Sequence, residues 1–560
     1  MSPLSIPACP IGEEALTRGA WAEAREAFEE AIQVHELPEL LEGLGIAAWW
    51  LDRAELVFDA RERAYRLYQE SGNHAGAGRV AVWLAWDSWA FRGEGAVASG
   101  WLQRARRLLE KLPDCPERAW LEVREAALCL LETGDPVRAL AMAAEGIRIA
   151  VAVRDTNYEM LGRAVHGLAL VVSGSVPEGM RSLDEVNAAV IAGELTDLVC
   201  IGLANCYMIA ACERVRDCER ALQWCARLKV FSAKWGLRPL FSVCRTQYAS
   251  ICLWRGTWQE AELELRAASD ELSVCRPAMA GDALVHLAEL RRRQGRVAEA
   301  TALFEKVQPH GLGLLGRAQL ASDSGDHRAA EELAARYLRH LPAQNRTERA
   351  VGLELQVRAL TGLQQTEPAR VALTELSSIA AQMDTLPLRA ASLFAAGFVA
   401  MAEGKPDAAR QHFEDAVDLF TQCKAPYEIA RSRIELARAL GKLGRTATAM
   451  EEAECALSVL SDLGAELDMA RAQRLLLELA ANLQPDPQGS AEGLLNGNLT
   501  RREIEVLRLV AEGLNNQSVA ERLFVSDHTV HRHLANIFSK LKVSTRAAAV
   551  AQGARRGLLP

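Results

Sequence analysis

The sequence predicts an all-α protein in two parts, a long array of helical pairs followed by a small helical module at the C-terminus. Alanine and leucine dominate the 560 residues and aromatic residues make up only 6%, which favours helix over sheet. A glycine-containing turn recurs along most of the chain, and the last sixty residues carry several helix-start signals. Half of the residues are apolar and about a quarter are charged, as in ordinary globular proteins.

The array is predicted from a repeated unit between residue 13 and about residue 483. Each unit is an apolar helix, a turn, and a second helix with alanines at helical spacing. Most successive turns are 39–42 residues apart, with a shorter step of 30 residues from Gly295 to Gly325, and a fixed period of this size indicates stacked helical pairs. The clear turns begin at Gly19, Gly134, Gly256, Gly295, Gly325, Gly404 and Gly444, and weaker copies lie near Leu51, Gly93, Gly174, Arg216 and Gln364.

The side chains of the unit explain how such pairs stack. Glycine reverses the chain, and a neighbouring Asp or Pro starts the next helix. Small alanines allow the helices to approach closely, and Phe28, Phe304 and Phe413 are expected to fill the space beyond them. The pattern resembles tetratricopeptide repeats of longer period, as in the helical arrays of MalT-like regulators. That resemblance implies an α-solenoid of about twelve pairs, which Ala465–Leu483 would close as a capping helix.

Residues 484–498 (QPDPQGSAEGLLNGN) interrupt the period with two prolines and three glycines and are predicted to be a linker. The sequence therefore divides into a helical-repeat region at 1–483, this linker, and a helical module at 499–560.

Composition also bears on compartment and redox chemistry. No run of eighteen apolar residues and no signal peptide is evident, so we expect a cytoplasmic protein without a membrane segment. The thirteen cysteines form no C-x-x-C motif, and we expect most of them to be small buried apolar residues. A redox-active cysteine among them stays open, because no sequence feature selects one.

The C-terminal module shows the signals of four short helices. Thr500 with Glu503 forms a capping box, and Gly513 ends the first helix. Asn515 or Asn516 caps the second helix, and Ser526 caps the third after a tight turn. This close spacing of the second and third helices is typical of a helix-turn-helix.

The third helix has two distinct faces at 100° per residue. Val530, Leu534, Ile537 and Leu541 share one face and should point to the core. The opposite face suits the major groove of DNA, where an arginine such as Arg532 can donate a fork of hydrogen bonds to guanine. The remaining candidates for phosphate or base contact on this helix are His528, Thr529, His531, Ala535, Asn536 and Lys540.

This module resembles the DNA-binding domain of LuxR/NarL-type bacterial regulators. The matching positions include Leu499-Thr500, Arg502-Glu503, Val506-Leu507, Gly513-Leu514, Asn516, Val519-Ala520, Val525-Ser526, Thr529-Val530, Asn536-Ile537, Lys540-Leu541 and Arg546. The resemblance implies a recognition helix at about Ser526–Leu541, binding to double-stranded DNA as a homodimer, and pairing through Thr545–Arg556. It also adds Asn516, Ser526 and Arg546 to the candidate DNA contacts. The chain departs from the family at His531, where members usually carry a lysine, and at Gln517–Ser518, where they carry Lys-Glu.

Charge supports a partner of opposite sign for this module. Residues 499–560 contain ten Lys/Arg and five Asp/Glu, a formal charge of +5, whereas the other residues carry −14. An acidic chain with its positive charge concentrated in one module has the electrostatic pattern of a protein that binds a polyphosphate.

Motifs for catalysis and cofactors are missing from the sequence. There is no G-x-x-x-x-G-K-[ST] loop and no H-E-x-x-H, and His531 and His533 face different ways on one helix. We therefore expect neither an enzyme nor a cofactor or metal site.

These observations favour a transcriptional regulator whose repeat region binds a controlling partner or ligand. RNA polymerase or another protein is a candidate partner, and an effector could be a small molecule. The tryptophans near Trp49-Trp50, Trp83 and Trp86 are either repeat core or the wall of a ligand site. The alternative is a protein-interaction scaffold with a minor DNA-binding role.

Overall fold

The computed structural model describes residues 9–235, 238–307, 311–481, 499, 501–523, 530–531, 533–534, 537–538, 541, 543 and 545–559. Throughout these residues the regular structure is helical. Contacts divide the chain into two compact units, Met1–Leu363 with Thr374–Leu388, and Gln364–Leu373 with Arg389–Pro560.

Within the described residues, twelve helical pairs and a final single helix make up the repeat region, which confirms the predicted α-solenoid. The first helices of the pairs are α1 (Pro10–Arg18), α3 (Pro38–Trp50), α5 (His74–Arg92), α7 (Pro116–Glu132), α9 (Thr156–Ser173), α11 (Leu198–Val215), α13 (Arg238–Arg255), α15 (Ala280–Arg293), α17 (Gly311–Asp323), α19 (Arg346–Gly362), α21 (Leu386–Ala402) and α23 (Pro426–Lys442). The second helices are α2 (Trp21–Val34), α4 (Ala54–Glu70), α6 (Gly95–Leu109), α8 (Pro136–Val153), α10 (Val176–Ala192), α12 (Cys218–Trp235), α14 (Trp258–Cys275), α16 (Val297–Lys306), α18 (His327–His340), α20 (Thr366–Met383), α22 (Pro406–Gln422) and α24 (Thr446–Leu463). A short 3₁₀ helix spans Pro277–Met279, and the final helix is α25 (Glu466–Ala481).

The turn inside each pair adopts the left-handed backbone conformation. Glycine supplies it at the clear copies, for example at Gly19 with φ +73° and Gly404 with φ +72°. At three weaker copies another residue takes its place, with φ between +55° and +60° at Asp52, Arg216 and Gln364. All twelve turns predicted from the period therefore exist, and the period identified them even where glycine was absent.

Phenylalanines on second helices pack against glycines on first helices. Phe28, Phe304 and Phe413 are fully buried, as predicted. A Cβ added to Gly316 would lie 2.2 Å from the ring of Phe304, and one added to Gly397 would lie 2.3 Å from the ring of Phe413. Because these distances are far below van der Waals contact, the glycines are required for the close approach of the helices.

The first unit curls back on itself, so distant pairs touch. Arg276, just before the 3₁₀ helix, donates from Nε to Oδ1 of Asp52 in the second pair, at a distance of 3.0 Å. Arg346 at the start of α19 donates to the backbone oxygen of Ser173 at the end of α9. As a result, first helices such as α5 and α11 are buried around most of their circumference.

Burial also explains the long apolar helix α11. Among the described residues, Leu198–Val215 is the one helix long and apolar enough to cross a membrane by length and composition, and 83% of that stretch is buried inside the protein.

Three adjacent arginines of α15 lie buried in ion pairs. A charged run such as Arg291–Arg293 is usually a solvated helix surface. Here all three side chains are buried. Arg291 pairs with Glu262 of α14 at 2.7 Å, and Arg292 and Arg293 each reach Glu289 at 2.7 Å. The carboxylates that neutralise them come partly from another helix, which a local charge pattern does not reveal.

None of the thirteen cysteines, all of which the structure describes, forms a disulfide, and eight of them are buried, as predicted for most of them. The sulfur atoms of Cys206 and Cys244 lie 3.1 Å apart. Hydrogen bonding to Cys206 and burial raise the pKa of the Cys244 thiol well above its usual range. Both effects favour the protonated and less reactive form.

Candidate nucleic-acid interface

The C-terminal module has its own hydrophobic core. It contains α26 (Arg501–Ala511), α27 (Asn516–Leu523) and α28 (Arg546–Arg555), with helical backbone at the described residues between 530 and 541. Buried side chains from all of these segments meet in one cluster: Val506, Leu507, Val510, Val519, Ala520, Val530, Leu534, Ile537, Leu541, Ala549 and Leu558.

The apolar stripe on the third helix is in that cluster. Val530 and Ile537 are fully buried, and Leu534 and Leu541 are nearly so. This confirms the predicted core-facing side of the helix. His531, one residue from the stripe, is exposed.

Most of the local end signals lie where the sequence places them. Gly513 takes φ +87° and ends α26, and Leu514 N–H donates to the carbonyl of Leu509. Asn515, rather than Asn516, caps α27, because its side-chain oxygen accepts from Ser518 N–H at 2.8 Å. Thr545 caps α28 by accepting from Ala548 N–H at 3.2 Å. Thr500 of the predicted capping box lies outside the described residues.

Helix α28 packs tightly on α26. Ala549 and Gly553, four residues apart, are buried on one side of α28. A Cβ added to Gly553 would lie 2.7 Å from Cδ2 of Leu507 in α26. Ala547, Ala551 and Ala554 are exposed. One side of α28 therefore packs into the core of the domain, and small alanine side chains lie on its exposed surface.

Two candidate DNA contacts are bonded to each other. Arg546 donates from Nη1 to Oδ1 of Asn516 at 2.7 Å and from Nη2 to the backbone oxygen of Leu514 at 2.8 Å. These bonds tie the first residue of α28 to the turn between α26 and α27. Sequence reasoning listed both residues as separate contacts and missed their pairing, since thirty positions separate them and no spacing rule links them.

The other candidate contacts lie outside the described residues, and their contacts with DNA stay predictions. They are Ser526, His528, Thr529, Arg532, Ala535, Asn536 and Lys540. The structure does describe His531, Asn516 and Arg546, but their contacts with DNA also stay predictions.

Each of the helices α26, α27 and α28 carries at least one exposed arginine in or next to its last turn. Arg508 on α26, Arg522 on α27, and Arg555 and Arg556 at the end of α28 are all exposed. Arg522 lies 3.9 Å from Glu512, but both side chains are more than half exposed, so solvent screens this pair.

This small helical core, with a buried stripe on its third helix and a positive formal charge, is a LuxR-type helix-turn-helix domain. Residues 497–552 match the family model described as bacterial regulatory proteins, luxR family.

Relatives match over the same segment. A Mycobacterium bovis protein named as an HTH-type transcriptional regulator is 49% identical over 61 residues, which cover 11% of this chain and 7% of that protein. AlkS, an HTH-type transcriptional regulator of Alcanivorax borkumensis, is 44% identical over 11% of this chain and 7% of its own length. The transcriptional regulatory protein LnrK of Bacillus subtilis is 46% identical over 11% of this chain and 28% of its own length. The likeness to these relatives therefore concerns the C-terminal domain.

Solved structures also match over most of the chain. The APC/C hetero-tetramer Cut9–Hcn1 matches with a TM-score of 0.47 and 14% identity, covering 84% of this chain and 92% of that chain.

A prediction follows from the pairing of Arg546 with Asn516. Replacing Arg546 with alanine removes two hydrogen bonds that hold α28 to the turn before α27, so we expect the domain to lose about 1–3 kcal/mol of stability. Hydrogen exchange of the amides in α26 and α28 measures this loss. Arg555→Ala, at an exposed arginine of the same helix, serves as the control and should leave exchange unchanged.

The salt dependence of DNA affinity then distinguishes a structural role of Arg546 within the domain from a contact with DNA phosphate. If Arg546 also meets a phosphate, Arg546→Ala should reduce the slope of log affinity against log salt by about one, whereas Asn516→Ala should not. Unchanged exchange in Arg546→Ala would show that the observed hydrogen bonds do not stabilise the domain.

Proposed function

We propose that this chain is a sequence-specific transcriptional regulator whose helical-repeat region, residues 1–483, controls a DNA-binding domain at 499–560 through the linker at 484–498. The observation that carries the proposal is the buried stripe of Val530, Leu534, Ile537 and Leu541. A helix anchored on that side presents its other side outward, as a recognition helix must. The names of the relatives, which describe transcriptional regulators, agree with this assignment.

The recognition step rests on the third helix. Helical spacing in the sequence puts Arg532 opposite the apolar stripe, and a guanidinium can donate two hydrogen bonds to guanine in the major groove. Lys540 and Thr529 are placed along the sequence to meet phosphate or base. The charge of +5 on residues 499–560 supplies long-range attraction to DNA that does not depend on sequence.

Pairing of two copies would place two recognition helices on the same face of DNA. The proposed surface is the part of α28 that does not pack on α26, where Ala547, Ala551 and Ala554 are exposed. Small side chains allow two such helices to approach closely. Half-sites separated by about one turn of DNA are then expected from the two-fold symmetry of a dimer.

Selection of bound sequences from a random DNA library tests this function with the full-length chain. We expect an enriched, two-fold symmetric sequence. Arg532→Ala should weaken binding to it by roughly 10- to 100-fold and relax the preference at one base pair of each half-site. Arg508→Ala removes an exposed charge from α26, a different helix, and should lower affinity similarly for all sequences, if at all.

Two outcomes would contradict the proposal. Absence of any enriched sequence would leave a scaffold with weak, unspecific DNA binding. Unchanged affinity and base preference in Arg532→Ala would remove this side chain from the recognition surface and require a different docking face.

A further inference from the structure

Aromatic rings form a continuous row inside the first unit. The row runs across the first helices of four successive pairs, from Trp50 and Trp49 on α3 through Trp83 on α5 and Trp120 on α7 to Tyr158 on α9. Neighbouring ring centroids are 4.8, 6.2, 5.2 and 5.2 Å apart. The row forms an apolar wall in which Trp49, Trp50 and Trp120 are almost fully buried, whereas Trp83 and Tyr158 are partly exposed.

Three buried arginines lie along this wall. Each places its guanidinium over a ring of the row: Arg61 at 4.2 Å from the centroid of Trp83, Arg276 at 4.2 Å from Trp49, and Arg124 at 5.0 Å from Trp120. Arg124 also stacks on Trp86, next to the row, at 3.6 Å. All three side chains are at most 3% exposed. Guanidinium groups are almost never buried to this degree without a partner anion.

Two of these arginines have such an anion and the third does not. Arg61 is paired with Asp87, and Arg276 donates to Asp52 at 3.0 Å. For Arg124, the Nε, Nη1 and Nη2 atoms are all buried and have no hydrogen-bond partner in the part of the chain that the structure describes. Asp87 also acts electrostatically on Arg124, but its bonded partner is Arg61.

Other unsatisfied donors lie near Arg124. The indole Nε1 of Trp120, whose ring is 5.0 Å from this guanidinium, has no partner among the described residues, and neither does the buried hydroxyl of Tyr207 on α11. The Tyr207 hydroxyl is close enough to interact with Arg124, but burial raises the pKa of this phenol, so it stays uncharged and does not neutralise the guanidinium. Burial lowers the pKa of Arg124. This group of residues therefore offers several donors and one positive charge with no bonded anion.

Stacking on Trp86 does not offset the burial of that charge. A desolvated cation–π contact contributes about 2 kcal/mol, whereas an unpaired buried ion costs several kcal/mol. An acceptor that carries one negative charge would satisfy the guanidinium, and an oxygen pair would match its two parallel N–H groups.

We propose that Arg124 anchors a binding site for a small monocarboxylate with a flat, apolar body, which stacks among the tryptophans. A single carboxylate is favoured over a phosphate because only one of the three guanidinium groups lacks a bonded anion. The proposal rests on the function proposed above, since it names the chemical class of the effector that the repeat region takes up. The guanidinium is fully buried, so entry requires the surrounding helices to open briefly. The ligand would thereby shift the population of the first unit toward its ligand-bound conformation.

Binding of aromatic monocarboxylates to the full-length chain tests the site. The probes are benzoate, phenylacetate and indole-3-acetate, each with its neutral amide as a matched control. We expect at least one carboxylate to change tryptophan fluorescence in a saturable way and to raise the thermal midpoint, while its amide does neither. Isothermal titration then gives the affinity.

The matched variants are Arg124→Met and Arg107→Met. Methionine keeps the length of the side chain and removes the charge, and replacing an unpaired buried ion by an apolar side chain should leave the protein folded. Arg124→Met should weaken carboxylate binding by about 10- to 100-fold. Arg107 is exposed on α6, so its replacement should leave carboxylate affinity unchanged. Equal binding of carboxylates and amides, no binding of any probe, or full affinity in Arg124→Met would overturn the site.

A DNA-binding measurement with and without the bound carboxylate separates this inference from the proposed function. Carboxylate binding without any change in DNA affinity would keep the site but remove its role as an effector site. Sequence-specific DNA binding in a chain that takes up no carboxylate would keep the regulator and remove the site.

Discussion

Replacing Ile537 with aspartate is expected to unfold the C-terminal domain and abolish specific DNA binding. Ile537 is fully buried in the cluster shared by α26, α27 and α28. An unpaired carboxylate at that position costs several kcal/mol, which is comparable to the whole stability of a domain of this size. Hydrogen exchange followed by mass spectrometry should show the amides of 501–559 losing protection, while the peptides of the repeat region keep theirs.

The same side chain at an exposed position of the same helix is the control. His531→Asp should leave the exchange of the domain near that of the wild type, although the added negative charge should lower DNA affinity. Retained protection in Ile537→Asp would show that the third helix does not depend on this core. The proposed recognition surface would then have to be held in place by contacts other than this core.

Replacing Glu289 with glutamine is expected to destabilise the first unit by about 3 kcal/mol. Glu289 accepts from both Arg292 and Arg293, which are buried on α15. The variant leaves two buried guanidinium groups without this carboxylate, and removing one partner of a buried ion pair ordinarily costs about 3–5 kcal/mol. The thermal midpoint and the hydrogen exchange of α15 measure the loss.

The stability lost in Glu289→Gln should depend on pH, because the pKa of Glu289 is shifted. Burial raises the pKa of Glu289, but Arg292 and Arg293 outweigh it and hold the pKa well below its usual range. A lowered pKa contributes stability that is complete above the ordinary carboxyl value of about 4.3 and is lost as the pH falls below it. The difference in stability between the wild type and Glu289→Gln should therefore become smaller as the pH is lowered.

Glu299→Gln is the matched control for this prediction. Glu299 pairs with Arg296 and Arg291, but its side chain is 50% exposed, and a surface pair contributes about 0–1 kcal/mol. Equal losses in the two variants would mean that burial does not distinguish the two carboxylates.

The repeat architecture was predictable because it depends on local features. Turn spacing and alanines at helical spacing recur along the array, and Phe28, Phe304 and Phe413 each follow a turn glycine by nine residues. Asp52, Arg216 and Gln364 replace glycine in three turns, and the period still placed them. A left-handed turn tolerates such residues at a modest cost, so the loss of glycine there did not change the fold.

The ion pairs between different helices and between distant repeats could not be predicted from the sequence. The carboxylate of Glu262 on α14 pairs with Arg291 on α15, and Asp52 meets Arg276 after more than two hundred residues. No local pattern encodes these distances. The sequence likewise left open whether the early tryptophans are core or ligand wall, and Arg124 carries no motif that would single it out.

For the DNA-binding domain the sequence was more informative about the core than about the surface. Helical spacing alone identified the stripe from Val530 to Leu541, because a buried face must be continuous. The bond between Arg546 and Asn516 depends on the angle between two helices, which helical spacing within one element does not determine.

The links from Asp52 to Arg276 and from Ser173 to Arg346 also bear on how the first unit unfolds. An open solenoid, in which each repeat touches only its neighbours, can lose its ends one repeat at a time. Here distant repeats hold one another, so cooperativity should extend over several pairs, and mechanical stretching should release them together. Deleting or duplicating one pair, which open solenoids tolerate, would shift Arg276 out of reach of Asp52.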